Sequence, residues 1–157
     1  NGRMKFPIEV FEAVRSVWPS DKPISARISA TDWIDGGNTI KEGVRIAELF
    51  HASGLDIIDV SSGNITHERR PPLEGLFQAP LSKEIRDNVK IPTITVGNVA
   101  TAQQAEEVIK KGCADICAIG KGHLYDPFWA RHAARSLGNT DQWPKQYAAA
   151  KNFNPEN

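Results

Sequence analysis

The chain has 157 residues, a mass of 17.3 kDa and 19 basic against 19 acidic side chains, a length that suits one domain with a sizeable core. With 40% hydrophobic and 24% charged residues it is not a disordered chain, and zero net charge argues against non-specific nucleic-acid or anionic-membrane binding. No apolar run reaches the ~18 residues of a membrane span, no secretory leader is expected, and two cysteines (Cys113 and Cys117) exclude a disulfide framework and fit a reducing, cytoplasmic setting.

The first predicted element is a helix over Pro7 to Val17, with Ile8, Phe11, Val14 and Val17 apolar. Ile24 to Ser29 then reads as a strand. Thr39 to Glu42 is a capping box, in which the Thr39 hydroxyl accepts from the Glu42 amide and Glu42 reaches back. Ile40, Val44, Ala47 and Phe50 continue it as an apolar stripe, and Gly54 suits a left-handed helix end. Leu55 to Ser61 is the second strand, followed by a charged, proline-bearing loop (Glu68 to Pro72) and a helix from about Leu81 to Val89. Pro92 to Val96 is the third strand. Thr101 to Gln104 is a second capping box, and its helix closes at Gly112. Asp115 to Ile119 is the fourth strand. Asp126 and Pro127 read as an N-cap and first helical residue, with Phe128 to Leu137 as the body of the last helix.

Each strand is a nearly continuous apolar run rich in β-branched residues, the pattern of strands buried on both faces. A helix followed by four strand–helix units implies an α/β fold with a parallel sheet and right-handed crossovers. The competing architectures are an open doubly wound sheet and the half, (βα)4, of a (β/α)8 barrel. The first strand runs into Ser29-Ala30-Thr31-Asp32, without the glycine fingerprint of a dinucleotide fold. Residues 1–138 read as the folded unit and residues 139–157 as an irregular tail.

Chemistry concentrates at the strand ends. Gly97 and Asn98 follow the third strand, and Gly120 and Lys121 follow the fourth. Either glycine alone could serve a tight turn. Together with Lys121 they suggest a phosphate cradle, since glycine lets backbone amides approach an anion and lysine adds a point charge. Arg27 lies inside an apolar strand and should face either a ligand or a carboxylate, Asp56 or Asp59. Ser61, Ser62 and Gly63 end the second strand and either line the same site or form a small-residue turn. His51, His67, His123 and His132 have no metal-ligand spacing. No catalytic triad or carboxylate pair emerges, so no catalytic residue is assigned.

Several segments resemble the old yellow enzyme family of NADH:flavin oxidoreductases. Asn1-Gly2-Arg3-Met4-Lys5-Phe6-Pro7-Ile8-Glu9-Val10 is similar to the family's E-N-R-x-R-F-x-x-E-V helix, and Arg27-Ile28-Ser29, Asp59 to Gly63 and Val96-Gly97-Asn98 match further segments. Most specific is Ala114-Asp115 through Gly120-Lys121 to Asp126-Pro127, similar to A-D-x-V-x-x-G-R-x-x-L-x-D-P. The resemblance covers residues 1–138. Arg27 to Trp33 and Phe77 to Pro80 resemble, within the family, the reductase-type domain of salicylyl-CoA 5-hydroxylase or 2-aminobenzoyl-CoA monooxygenase/reductase proteins.

The resemblance implies the C-terminal half of a TIM barrel that binds FMN, with NADH or NADPH as hydride donor and a small molecule as acceptor. It implies that Arg27 meets the polar edge of the flavin ring and favours negative charge there. Gly97, Asn98, Gly120 and Lys121 would hold the phosphate, and Ser61, Ser62 and Gly63 would line the ribityl or ring side. Lys121 departs from the family's usual arginine, so the charge is kept and the bidentate grip is lost. The family's substrate-binding histidines and proton-donating tyrosine belong to the first barrel half, so this half alone is expected to be inactive. A non-catalytic half-barrel that binds a phosphate-bearing ligand is the alternative. Open strand edges predict self-association or pairing with a first barrel half.

Overall fold

The computed structural model describes residues 2–63, 65–66, 74–139 and 143–153. It begins with a short 3-10 turn, Gly2–Met4, leading into α1, Lys5–Val17. Then follow β1 (Ser25–Ser29), α2 (Ile40–Ala52), β2 (Ile57–Ser61), α3 (Ala79–Val89), β3 (Thr93–Val96), α4 (Ala102–Lys110) and β4 (Ile116–Ala118). α5 (Lys121–Tyr125), α6 (Trp129–Ser136) and a 3-10 turn at Lys145–Ala150 complete the described chain. The charged loop predicted at Glu68 to Pro72 lies outside the described residues.

The four strands form one parallel sheet in the order β1-β2-β3-β4. Sequential parallel neighbours joined by helices are the topology of a barrel arc, and the order never reverses as it does in a doubly wound sheet. Both capping boxes form as expected. Thr39 accepts from the Glu42 amide while Glu42 accepts from the Thr39 amide, and Thr101 and Gln104 repeat the exchange at α4.

Side chains alternate across the sheet. Ala26, Ile28, Ile58 and Val60 face the helices and pack with Phe11, Phe50, Ile85 and Ile91. Phe11 and Phe50 meet edge to face at 5.7 Å. A smaller cluster of Ala79, Val108 and Ala114 holds α4 to the sheet. α2 comes so close to the end of β1 that a Cβ on Gly43 would lie 2.5 Å from the Ala30 carbonyl oxygen.

The expectation of strands buried on both faces fails on the second face. Ser25 and Arg27 are exposed, and Ile116 is 49% exposed. The helices cover only one side, and no described element covers the other. The start of α6 is also shifted. Its N-cap is Phe128, not Asp126, because the Asp126 carboxylate closes a turn by accepting from the Phe128 N–H at 2.9 Å. The single-turn α5 was not expected. The tail is less irregular than its composition suggests, since Arg131 stacks on Tyr147 and Arg135 donates to the Phe153 carbonyl.

Candidate functional site

β3 and β4 are paired through Val96 and Ala118, so the loops that leave their C-terminal ends lie side by side. Between them is a groove of about 370 Å³, lined by Gly97, Asn98, Gly120 and Lys121 together with Phe77 and Val96. The fold therefore joins both glycine-bearing ends in one concavity, at the strand end where barrel sites are built.

The two glycines are there for different physical reasons. Gly97 has φ +103°, and a Cβ on it would sit 2.4 Å from the Gln78 amide nitrogen. Asn98 follows at φ +55°, so this turn is left-handed for two consecutive residues. Gly120 has an ordinary φ of −93°, and a Cβ there would meet nothing within 4 Å. Packing demands glycine at Gly97, whereas Gly120 leaves groove space empty. Lys121 is exposed on the groove wall and has no hydrogen bond or ion pair among the described residues.

Gln78 is the residue that sequence reasoning missed. It is only 4% exposed. Its amide nitrogen donates to the Val96 carbonyl at 2.7 Å, and its oxygen accepts from the Ser62 hydroxyl at 2.7 Å and the Ser61 hydroxyl at 3.4 Å. It thereby ties the end of β2 to the end of β3 and sits directly under Gly97. Its sequence signals are its place in the Phe77 to Pro80 segment and the proline two residues later, which suits the first turn of α3, and neither gives it a role. Ser61 and Ser62 adjoin the groove through Gln78. Gly63 lies on the far side of β2's end, where its N–H donates to the Thr31 carbonyl at 2.8 Å.

Arg27 corrects the picture of an arginine buried in its strand. Its side chain is 57% exposed on the open face of the sheet. Of the two carboxylates considered, it pairs with Asp59, its register partner on β2. Nε donates at 2.9 Å and Nη2 at 2.7 Å, both to Oδ2. Asp56 is occupied at the opposite end of the sheet by Arg15.

Cys117 and Asp126 are not among the residues that line the groove. Burial pushes the Cys117 thiol up, away from thiolate chemistry. The hydrogen bond from His132 holds the Asp126 carboxyl below its usual range. No group of three histidine, cysteine or acidic side chains among the described residues could hold a metal ion. Among the described residues no carboxylic acid or tyrosine lines the groove. No helix among the described residues is long and apolar enough to cross a membrane.

Residues 1–140 match the profile of the NADH:flavin oxidoreductase / NADH oxidase family. An NADPH dehydrogenase of Listeria innocua is 37% identical over 148 residues, covering 94% of this chain and 43% of the relative. One from Geobacillus thermodenitrificans is 38% identical over 151 residues, 96% of this chain and 44% of the relative. An NADH oxidase of Thermoanaerobacter brockii is 36% identical over 143 residues, 87% of this chain and 22% of the relative. The chain thus spans less than half the length of these relatives. Their names do not support the narrower likeness to the CoA-ester reductases. In three dimensions the chain resembles histamine dehydrogenase from Rhizobium sp. 4-9, with a TM-score of 0.70 at 23% identity over 87% of this chain and 20% of that one. That likeness concerns the fold, an arc of four βα units of a (β/α)8 barrel.

Proposed function

The chain belongs to the NADH:flavin oxidoreductase / NADH oxidase family, and from that premise we propose that it supplies the second half of an FMN-binding barrel in a cytoplasmic NAD(P)H oxidoreductase. The observation that carries this reading is the groove in which Gly97, Asn98, Gly120 and Lys121 converge from two adjacent strand ends. Its chemistry fits a phosphate-bearing cofactor: Gly120 leaves open volume, and the Lys121 ammonium is uncommitted among the described residues. Arg27 fits the polar end of a flavin ring, since its Nη1 has no partner among the described residues.

FMN, when bound, supplies two-electron hydride exchange between NADH or NADPH and an activated alkene. This chain's part is to bind and orient. Lys121 and the backbone around Gly97 and Gly120 hold the phosphate. Ser61, Ser62 and Gly63 line the ribityl or ring side, with Gln78 fixing the two serines. Arg27 offers an N–H and positive charge to the ring's polar edge, where charge accumulates on reduction. Residues 1–138 make the barrel half, and residues 139–157 make a tail whose described part, 143–153, packs on α6. The open sheet face and the free edges of β1 and β4 are the surface for the first barrel half, or for a second copy in its absence.

Comparing FMN with riboflavin, which lacks the phosphate, tests the assignment. Lys121→Gln should weaken FMN binding about tenfold, the ~1.4 kcal/mol of a charge-assisted contact, and leave riboflavin affinity unchanged. Equal loss of both ligands would remove Lys121 from the phosphate site. A second reading is a half-barrel module that binds a phosphate-bearing ligand without catalysis, favoured by the lack of an acid among the described residues that line the groove. NAD(P)H consumption by the FMN-loaded protein separates the two readings.

A further inference from the structure

Asp59 is a buried carboxylate that the functional reading above leaves unused. It is 9% exposed and stands opposite Arg27 in the β1–β2 register. Its two oxygens are treated very differently. Oδ2 accepts both Arg27 N–H groups, while Oδ1 is buried with no hydrogen-bond partner among the described residues. A buried charge with one unsatisfied oxygen is costly, so a role in stability alone is a poor account of it.

The grip has two consequences. Binding Nε and Nη2 on one oxygen fixes the plane of the guanidinium and leaves Nη1 as its uncommitted end. The nearby negative charge also offsets much of the positive charge that Arg27 presents to the open face. A ligand that gains negative charge at Arg27 is then stabilised less than it would be by arginine alone.

We propose that Asp59 is a positioning residue that orients Arg27 and, through its charge, lowers the preference of this site for reduced over oxidised FMN. The inference rests on the assignment of Arg27 to the flavin ring. It concerns a different property from phosphate binding: the midpoint potential of the bound cofactor.

The test is a redox titration of the FMN-loaded holoprotein in wild type, Asp59→Asn, Asp59→Glu and Arg27→Met. Asp59→Asn keeps an oxygen acceptor for Arg27 but removes the charge. It should favour reduced FMN about tenfold, a positive shift of ~30 mV for a two-electron couple. Asp59→Glu keeps the charge and should titrate near wild type. Arg27→Met should shift the potential in the negative direction. An unchanged or negative shift in Asp59→Asn, with Arg27→Met shifted as expected, overturns the role of Asp59 and leaves the flavin site standing. An unchanged potential in Arg27→Met removes the flavin assignment of Arg27 itself. Loss of FMN by both Asp59 variants alike would make Asp59 a structural residue and overturn its charge role.

Discussion

Gly97 and Gly120 look alike in the sequence, each following a short apolar strand, and the structure separates them. At Gly97 the backbone is left-handed and Gln78 fills the space a Cβ would take. Gly97→Ala should therefore cost about 1–3 kcal/mol in backbone strain alone, with further loss as Gln78 moves from Val96 and Ser62. Gly120→Ala meets no atom of the chain. It should leave the urea midpoint within error of wild type and still weaken FMN binding, because the methyl enters the groove. Equal destabilisation by the two substitutions would mean that Gly120 is also a packing residue. Gln78→Ala strands the buried Ser62 hydroxyl and the Val96 carbonyl, at about 1–3 kcal/mol for each group left unpaired. Chemical denaturation of the two variants together with the double variant Gly97→Ala/Gln78→Ala would show the coupling of contacting residues.

Helices and strands are tied together at the end of the sheet away from the groove, and the same device occurs twice. Asp56, just before β2, accepts from Arg15 of α1 at 3.0 Å and from the Ile24 N–H at 2.7 Å. Asp115, just before β4, accepts from Arg86 of α3 at 3.0 and 3.1 Å and from the Thr93 N–H at 2.9 Å. In each case the carboxylate joins a helix to the strand that follows it and to the start of the next strand. This end of a barrel serves stability, while the opposite end carries chemistry. The hydrogen bonds from Arg86, and then from the Thr93 amide, hold the Asp115 carboxyl below the usual carboxylate range. A depressed folded pKa means that the contribution is complete above the unfolded value of about 3.9. It is lost as pH falls through the folded value. Both partners are more than a third exposed, so solvent screening holds the pair to about 1 kcal/mol or less. Asp115→Asn should lower stability at neutral pH by that amount and flatten the decline in thermal midpoint below pH ~4. An identical acid profile in wild type and variant would show that the pair contributes nothing to acid sensitivity.

Among the described residues the sheet has one covered face and one open face. Ile116 at 49% exposure, half-buried Ile57, Ile94 and Val96, and unpaired edges on β1 and β4 leave apolar surface and backbone donors together. The expressed chain should therefore elute above its 17.3 kDa monomer mass. Adding a first-half barrel fragment should compete with that association. A monodisperse monomer by light scattering would remove the open face as an interface.

Much of the architecture was legible in the linear order of residues because it rests on local interactions. Thr39 with Glu42 and Thr101 with Gln104 are helix starts written within four residues. Four β-branched runs separated by helix-length gaps leave little besides parallel βα units. The glycine-bearing ends of β3 and β4 were readable too, as were the match to a flavin oxidoreductase family and its expected cofactor. What lay beyond reach depends on residues distant in the chain and on what covers a surface. Arg27 reads as a buried arginine until the register sets it against Asp59, 32 residues away, on a face that no described helix shields. Gln78 sits in the resembling segment Phe77 to Pro80, but its role exists only where the ends of β2 and β3 approach each other. Hydrophobic pattern reports which residues resist water, not which faces of a sheet its own chain can cover, and that was decided by the tertiary structure.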